Sequence, residues 1–293
     1  MDKFLENVTD RLWDSFGKAK EASAFGGIHT PSKRAVAEIV QRLLHLMFPG
    51  YYDDSPLWSE VENVKKKSIG QQIGKLHELL SNEIQKHLLL DQKEISAEEM
   101  TRKFLEDLPI VREQLNTDIQ AAFDGDAAAK SYEEIILAYP CIEAIAVQRL
   151  AHRLYQLKVN LIPRMMTEWA HSRTGMDIHP GASIGTHFFI DHGTGVVIGE
   201  TSDIGNHVKL HHGVTLGARS TAHAEQLRGK KRHPTIGNYV TIYPGATILG
   251  GDMIIGEHST IGGNVFLIDQ HVPPHHLVIS EETTVIMKPK KNL

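Results

Sequence analysis

The sequence is short of cysteine, of positive charge and of long apolar runs, and each shortage removes a class of protein. Cysteine occurs once in 293 residues, as Cys141. No disulfide can form within the chain, and a reducing, cytoplasmic compartment is expected. No run of 18 apolar residues occurs, which removes a single membrane-spanning helix. The opening MDKFLENVTDRLWDSFGKAK is acidic and polar from its second residue, unlike a secretory or transit peptide. The formal net charge is −5, no basis for gripping a phosphate backbone, so neither nucleic acid nor membrane is an expected partner. The run Lys65-Lys66-Lys67 reads as a solvated face. At 41% hydrophobic and 23% charged residues, the composition suits a packed, soluble core. Histidine is abundant instead: eighteen occur, most of them between His171 and His276.

Two apolar periods divide the chain. Up to about residue 170 the spacing is helical. Thr30-Pro31 suits an N-cap and first helical position. Val36, Ile39, Val40, Leu43 and Met47 follow at three- and four-residue steps, and Pro49-Gly50 ends the run. Similar patterns cover residues 69–88, 98–123 and 141–170, predicting a helical bundle whose stripes are core. After Met176 the period becomes six. Ile178, Ile184 and Ile190 form one phase, and Ile198, Ile204, Leu210 and Leu216 a second. Ile236, Ile242 and Ile248 form a third, and Ile255, Ile261 and Leu267 a fourth. A hexad suits one short strand and one turn, so three hexads close a triangular coil with the aliphatics pointing inward. Counting sides puts Leu216 at the start of the third coil and Ile236 next on it, so residues 217–235 must leave the prism as a loop. The expected architecture is α+β: an N-terminal segment 1–25 without order, an α-helical domain over 26–170, a β-helix over 171–275 and a tail over 276–293.

The hexads, with DIHPGASIG, IDHGTGVVIGET, HGVTLGA and RHPTIG in that order, resemble the serine O-acetyltransferases, a family of left-handed β-helix acyltransferases. The resemblance spans about residues 25–275. It implies acetyl transfer from acetyl-CoA to the hydroxyl of L-serine, giving O-acetyl-L-serine for cysteine biosynthesis. It places the catalytic histidine at His192 and the acid that orients it at Asp177. Asp191, Arg232 and His233 fall on serine-binding positions, and Asp126, in AFDGDAAA, on a further serine contact from the helical domain. Acetyl-CoA would lie near Gly217, Ala218, Tyr243, Pro244 and Gly245. The family also implies trimers, or dimers of trimers, with sites shared between subunits, and no metal.

The residue chemistry agrees. A serine hydroxyl needs a positioned base at neutral pH, and imidazole has the matching pKa. A carboxylate on the other ring nitrogen fixes the tautomer. The substrate ammonium needs carboxylates, as Asp191 and Asp126 offer, and its carboxylate suits the guanidinium fork of Arg232. Lys230-Lys231-Arg232 also suits CoA phosphates.

Several features depart from the family pattern. Gly125-Asp126-Ala127 replaces Arg-Asp-Pro, the 217–235 loop is long, and Ala218 replaces a glycine. Leu293 stands where members that dock into O-acetylserine sulfhydrylase end in isoleucine, which counts against that partner. Three rival readings exist. A β-helical zinc carbonic anhydrase would use His207, His211, His212 or His271 as ligands, although adjacent His211 and His212 point to opposite faces. A second rival keeps acetyl-CoA and takes a sugar or another amino acid as acceptor. The third is a non-enzymatic scaffold.

Overall fold

The computed structural model describes residues 2–18, 30–52, 62–91, 96–159, 161–220 and 224–281. Helices α1 (Lys3–Lys18), α2 (Lys33–Met47), α3 (Glu62–Asp91), α4 (Ala97–Glu106), α5 (Leu108–Gly125), α6 (Tyr132–Ala138), α7 (Pro140–Gln156) and α8 (Leu161–Thr174) precede the strands. Of the segment 1–25, Lys3–Lys18 are helical and 19–25 lie outside the described residues, as does the tail from 282 to Leu293.

The helix boundaries correct the sequence expectation in three places. Ser32, not Thr30, caps α2: its hydroxyl accepts from Ala35 N–H, while its own N–H donates to Glu83 at 2.7 Å and ties the cap to α3. Pro31 therefore precedes the helix. The run 98–123 is two helices, because Pro109 has no N–H for a carbonyl one turn back and Asp107 ends α4. The run 141–170 also breaks, after Gln156. Lys158 there is left-handed, with φ 65°, and Pro163 sits in the first turn of α8.

From Asp177 the chain winds a left-handed parallel β-helix of about five turns. The strands are β1 (Asp177–Ile178), β2 (Ser183–Ile184), β3 (Phe189–Asp191), β4 (Val197–Ile198), β5 (Asp203–Ile204), β6 (Lys209–His211) and β7 (Thr215–Gly217). After the short helix α9 (Ala224–Leu227) come β8 (Thr235–Ile236), β9 (Thr241–Ile242), β10 (Thr247–Leu249), β11 (Ile254–Ile255), β12 (Thr260–Ile261), β13 (Phe266–Ile268) and β14 (Leu277–Val278). Side one stacks β1-β4-β7-β10-β13, side two β2-β5-β8-β11 and side three β3-β6-β9-β12-β14. The hexad register is the one counted from sequence. Ile178, Ile198, Leu216, Ile248 and Leu267 form one inward column, and Ile184, Ile204, Ile236 and Ile255 the next. Ala182, Ser202, Val208, Val214, Val240 and Ala246 fill the corners and are buried.

The helical domain is fastened to the first coil by polar bonds. Buried Arg149 of α7 donates to Asp118 of α5 at 2.6 and 2.7 Å, and to the carbonyls of Ile184 and Gly185. Asp118 also accepts from Phe188 N–H. Both partners are out of water, so removing one would leave a bare buried charge, costing about 3–5 kcal/mol. This junction fixes the end of α5, and with it Asp126, against side three.

Candidate active site

The corner leaving side three is built from residues 191–195 in the first coil, His211-His212-Gly213 in the second and Tyr243-Pro244-Gly245 in the third. On the upper coils the flanking aliphatics are six residues apart, as in Leu210 to Leu216, but in the first coil Ile190 and Ile198 are eight apart. The two extra residues, His192 and Gly193, bulge the corner: Gly195 stacks on Gly213 as Gly213 does on Gly245, and Gly213 N–H donates to the Thr194 carbonyl as Gly245 N–H does to that of His212. Gly193 and Gly195 have φ of 84° and 79°, which glycine adopts without the strain a Cβ would add. His192, itself left-handed at φ 59°, is pushed outward, and its side chain is 76% exposed.

Three basic side chains surround Asp191: His211 Nδ1 at 3.3 Å, Lys209 Nζ at 3.4 Å and His192 Nε2 at 3.8 Å. His211 stacks on Tyr243, centroids 4.9 Å apart, and burial, with Lys209 nearby, pulls its pKa below the ordinary value. His212 meets His192 edge-on. Lys209 also donates to the Gly125 carbonyl at 2.7 Å, bridging side three to the end of α5. A side chain at Gly125 would meet the Phe189 ring at 2.9 Å, which accounts for glycine at this position. Asp126 follows, held by hydrogen bonds from the Tyr139 hydroxyl at 2.6 Å and Ala128 N–H at 2.9 Å. These bonds, Tyr139's first, hold its carboxyl below the usual range. Asp126, Tyr139, Cys141, Asp191, His192 and Thr194 line one pocket of about 390 Å³.

The remaining expected residues lie elsewhere. Asp177 opens side one, and Met176 beside it packs against Gly193. Among the described residues its hydrogen bond is to Arg164 of α8 at 3.0 Å, not to His192. Arg232 and His233 sit at the next corner, between sides one and two. Arg232 pairs there with Glu200, which also accepts from the Tyr155 hydroxyl. His233 is buried against Gly199, where any Cβ would clash with its ring. Its Nδ1 accepts from Thr201 N–H, and burial, reinforced by the Arg232 charge, pushes its pKa down to about 4. The five expected CoA residues split in the same way: Tyr243, Pro244 and Gly245 stack above His192, whereas Gly217 and Ala218 belong to the Arg232 corner.

No family model matches the chain. A relative from Synechococcus elongatus named serine acetyltransferase, plasmid, is 43% identical over 252 residues, 81% of this chain and 78% of its own length. The serine acetyltransferase of Mycobacterium tuberculosis is 46% identical over 169 residues, covering 58% of this chain and 70% of that one. Among solved structures, Entamoeba histolytica serine acetyltransferase 1 in complex with L-cysteine superposes with a TM-score of 0.73 at 37% identity, over 86% of this chain and 87% of that one. This chain belongs to the serine acetyltransferase family.

A serine acetyltransferase needs a base for the hydroxyl and opposite charges for the zwitterion. One chain gathers His192, Asp126 and Asp191 in a single pocket and holds the Arg232 guanidinium at a second corner. The zinc reading is not supported by the placement of its ligands. His207 stacks between His187 and Tyr239 on the third corner, while His211 faces Asp191 and His212 meets His192. Glu168, His171 and Asp177 do bring ligand atoms within 4.8 Å of one another, but Arg164 already pairs with both carboxylates. Sequence reasoning missed Tyr139, Lys209 and Arg164. Tyr139 and Arg164 lie in the helical half and Lys209 is an outward residue of a hexad strand, and each reaches a partner across the boundary between helices and prism or between helices.

Proposed function

We propose that this chain acetylates the L-serine hydroxyl with His192 as general base, at a site completed by a neighbouring copy. The observation that carries the reading is the pocket that joins exposed His192 to Asp126 and Asp191. The serine ammonium would lie between the two carboxylates, leaving its hydroxyl toward the imidazole. His192 takes the hydroxyl proton as the oxygen attacks the thioester carbonyl of acetyl-CoA, the C–S bond breaks, and the imidazolium returns the proton to the CoA sulfur. Asp177 is the acid that orients the ring once His192 turns from Asp191 toward side one; Arg164 holds that carboxylate meanwhile.

Arg232 and His233 support a shared site, because a second corner of the same prism cannot reach the first. Closed three-fold packing sets one prism's His192 corner beside its neighbour's Arg232 corner. The serine carboxylate then meets Arg232, and acetyl-CoA runs between Tyr243-Pro244-Gly245 of one copy and Gly217-Ala218 of the other. Pairing of two such trimers through the helical domains would give a hexamer. Docking of the sulfhydrylase turns on Leu293, which lies outside the described residues.

Thiol release from acetyl-CoA with L-serine tests the reading. His192→Ala should fall by about 10²–10⁴-fold. Arg232→Ala should also fall, and subunits of the two inactive variants refolded together should regain activity. Release with a sugar and none with serine would overturn the acceptor, and no recovery on mixing would overturn the shared site.

A further inference from the structure

Asp126 is the C-cap of α5, and Ala127 follows it, a residue that does not constrain the turn. Proline would fix φ and stiffen that turn. With alanine, something else must hold the carboxylate. The Asp126 N–H closes α5 on the Ala122 carbonyl at 3.1 Å, and its Oδ1 accepts from Ala128 N–H at 2.9 Å. Oδ2 is taken up by the Tyr139 hydroxyl at 2.6 Å, from the junction of α6 and α7. That junction is itself constrained: Tyr139 N–H donates to the Ile135 carbonyl, its own carbonyl accepts from Ile142 N–H, and Pro140 starts α7. The Tyr139 side chain also divides the catalytic pocket from a cavity of about 490 Å³ beside Tyr51 and Tyr52.

We propose that Tyr139 is a positioning residue for serine: its hydroxyl keeps the Asp126 carboxylate turned into the pocket. The inference rests on Asp126 receiving the serine ammonium. A tyrosine hydroxyl has one proton, and here it is committed to Asp126, so Tyr139 has no proton to give the substrate. The pair is mutually reinforcing, since the bond to the carboxylate pushes the phenol up to about 12 and keeps it protonated. Each Asp126 oxygen keeps a further acceptor site for the ammonium. Without the hydroxyl the carboxylate would have to be immobilised at each binding event, a cost that appears in serine affinity and leaves the acetyl donor untouched.

Steady-state kinetics on the full chain test this with Tyr139→Phe and Asp126→Asn. In Tyr139→Phe the KM for serine should rise roughly 10-fold, as expected for losing a hydrogen bond to a charged group. The kcat at saturating serine and the KM for acetyl-CoA should stay within about twofold. Inhibition by 3-hydroxypropanoate, which is serine without its ammonium, should not change, and the double variant should be no worse than Asp126→Asn alone. If Asp126→Asn leaves the serine KM unchanged, the ammonium subsite fails and the inference falls with it. If Asp126→Asn raises that KM and Tyr139→Phe does not, the subsite stands and the inference is wrong. Equal losses toward serine and 3-hydroxypropanoate would mark a merely structural role and would also overturn it.

Discussion

His187, His207, Tyr239, His258 and His275 climb the corner between sides two and three, each with φ between 56° and 61°. Their rings stack in sequence, with centroids 4.1, 4.6, 4.7 and 5.0 Å apart. His192, on the next corner, has the same backbone conformation, with φ 59°. Residue type and local geometry therefore do not separate the two sets of histidines. Register does. The ladder residues recur at one equivalent position per coil, so each ring finds a ring at about the strand spacing and the corner is filled by its own repetition. The His192 corner is regular only from the second coil upward. In the first coil the two-residue bulge at His192-Gly193 breaks the repeat and exposes the ring, and the end of α5 supplies Asp126 beside it. In this prism the proposed chemistry stands where the period fails.

The most direct way to break this contrast is to remove the bulge while keeping His192, by deleting Thr194 and Gly195 so that Ile190 and Ile198 stand six residues apart. The prism should still fold, because the upper coils turn this corner without the extra residues. Serine-dependent thiol release should fall by roughly 10²-fold or more, the scale of losing a positioned base. A deletion variant that keeps full turnover would show that the bulge is incidental.

The remaining corner sharpens the contrast through pH. His233 is buried among Arg232, Lys231, His179 and Glu200, and its pKa is pushed down to about 4, by burial first and by Arg232 next. Its unfolded value is near 6.5. The folded state thus prefers the neutral ring: stability is fully present above about pH 6.5 and is lost as pH falls toward about 4. The loss should approach about 3 kcal/mol, read as the difference between urea melts at the two ends of that window. His233→Gln should remove that slope, and an unaltered slope would assign the titration to another group.

The fold was largely legible because the hexad states its own register. Inward columns, the coil occupied by Leu216 and the exit of the 217–235 loop all follow from counting, and the strand pairing Asp191↔His211 appears where that count puts it. The site was legible only along the prism. Counting puts Asp177 near His192, yet the carboxylate bonds to Arg164 because α8 lies over that end of side one, and helix periodicity carries no information about which prism residue a helix meets. The same holds for Tyr139 on Asp126 and Lys209 on Gly125. Helix ends were misplaced where a local competitor decided them: Ser32 could cap α2 and bond to Glu83 together, and Pro109 divided one apolar stripe into two helices.

The smallest expected effect belongs to the ladder. His258 lies between Tyr239 and His275 with interplanar angles of 5°, and its side of the prism is remote from the pocket of His192. Parallel rings present their lone pairs side by side without converging them on one point, so the stack is a poor metal chelate and its contribution is packing. Each exposed ring contact is worth at most about 0.5–1.5 kcal/mol, and part of that is recovered when Tyr239 and His275 stay solvated. His258→Ala should therefore lower stability by about 1 kcal/mol or less in urea melts and leave serine KM and kcat within about twofold. The left-handed backbone at this position adds a second, opposing handle: His258→Gly relieves the strain of a Cβ at φ 56° while losing the same ring. If stacking is what the ladder supplies, glycine and alanine will both be less stable than histidine, with glycine the milder change. If the conformation alone matters, alanine will match histidine and glycine will be more stable than both, and the regular corner would then be held by its backbone and not by its rings.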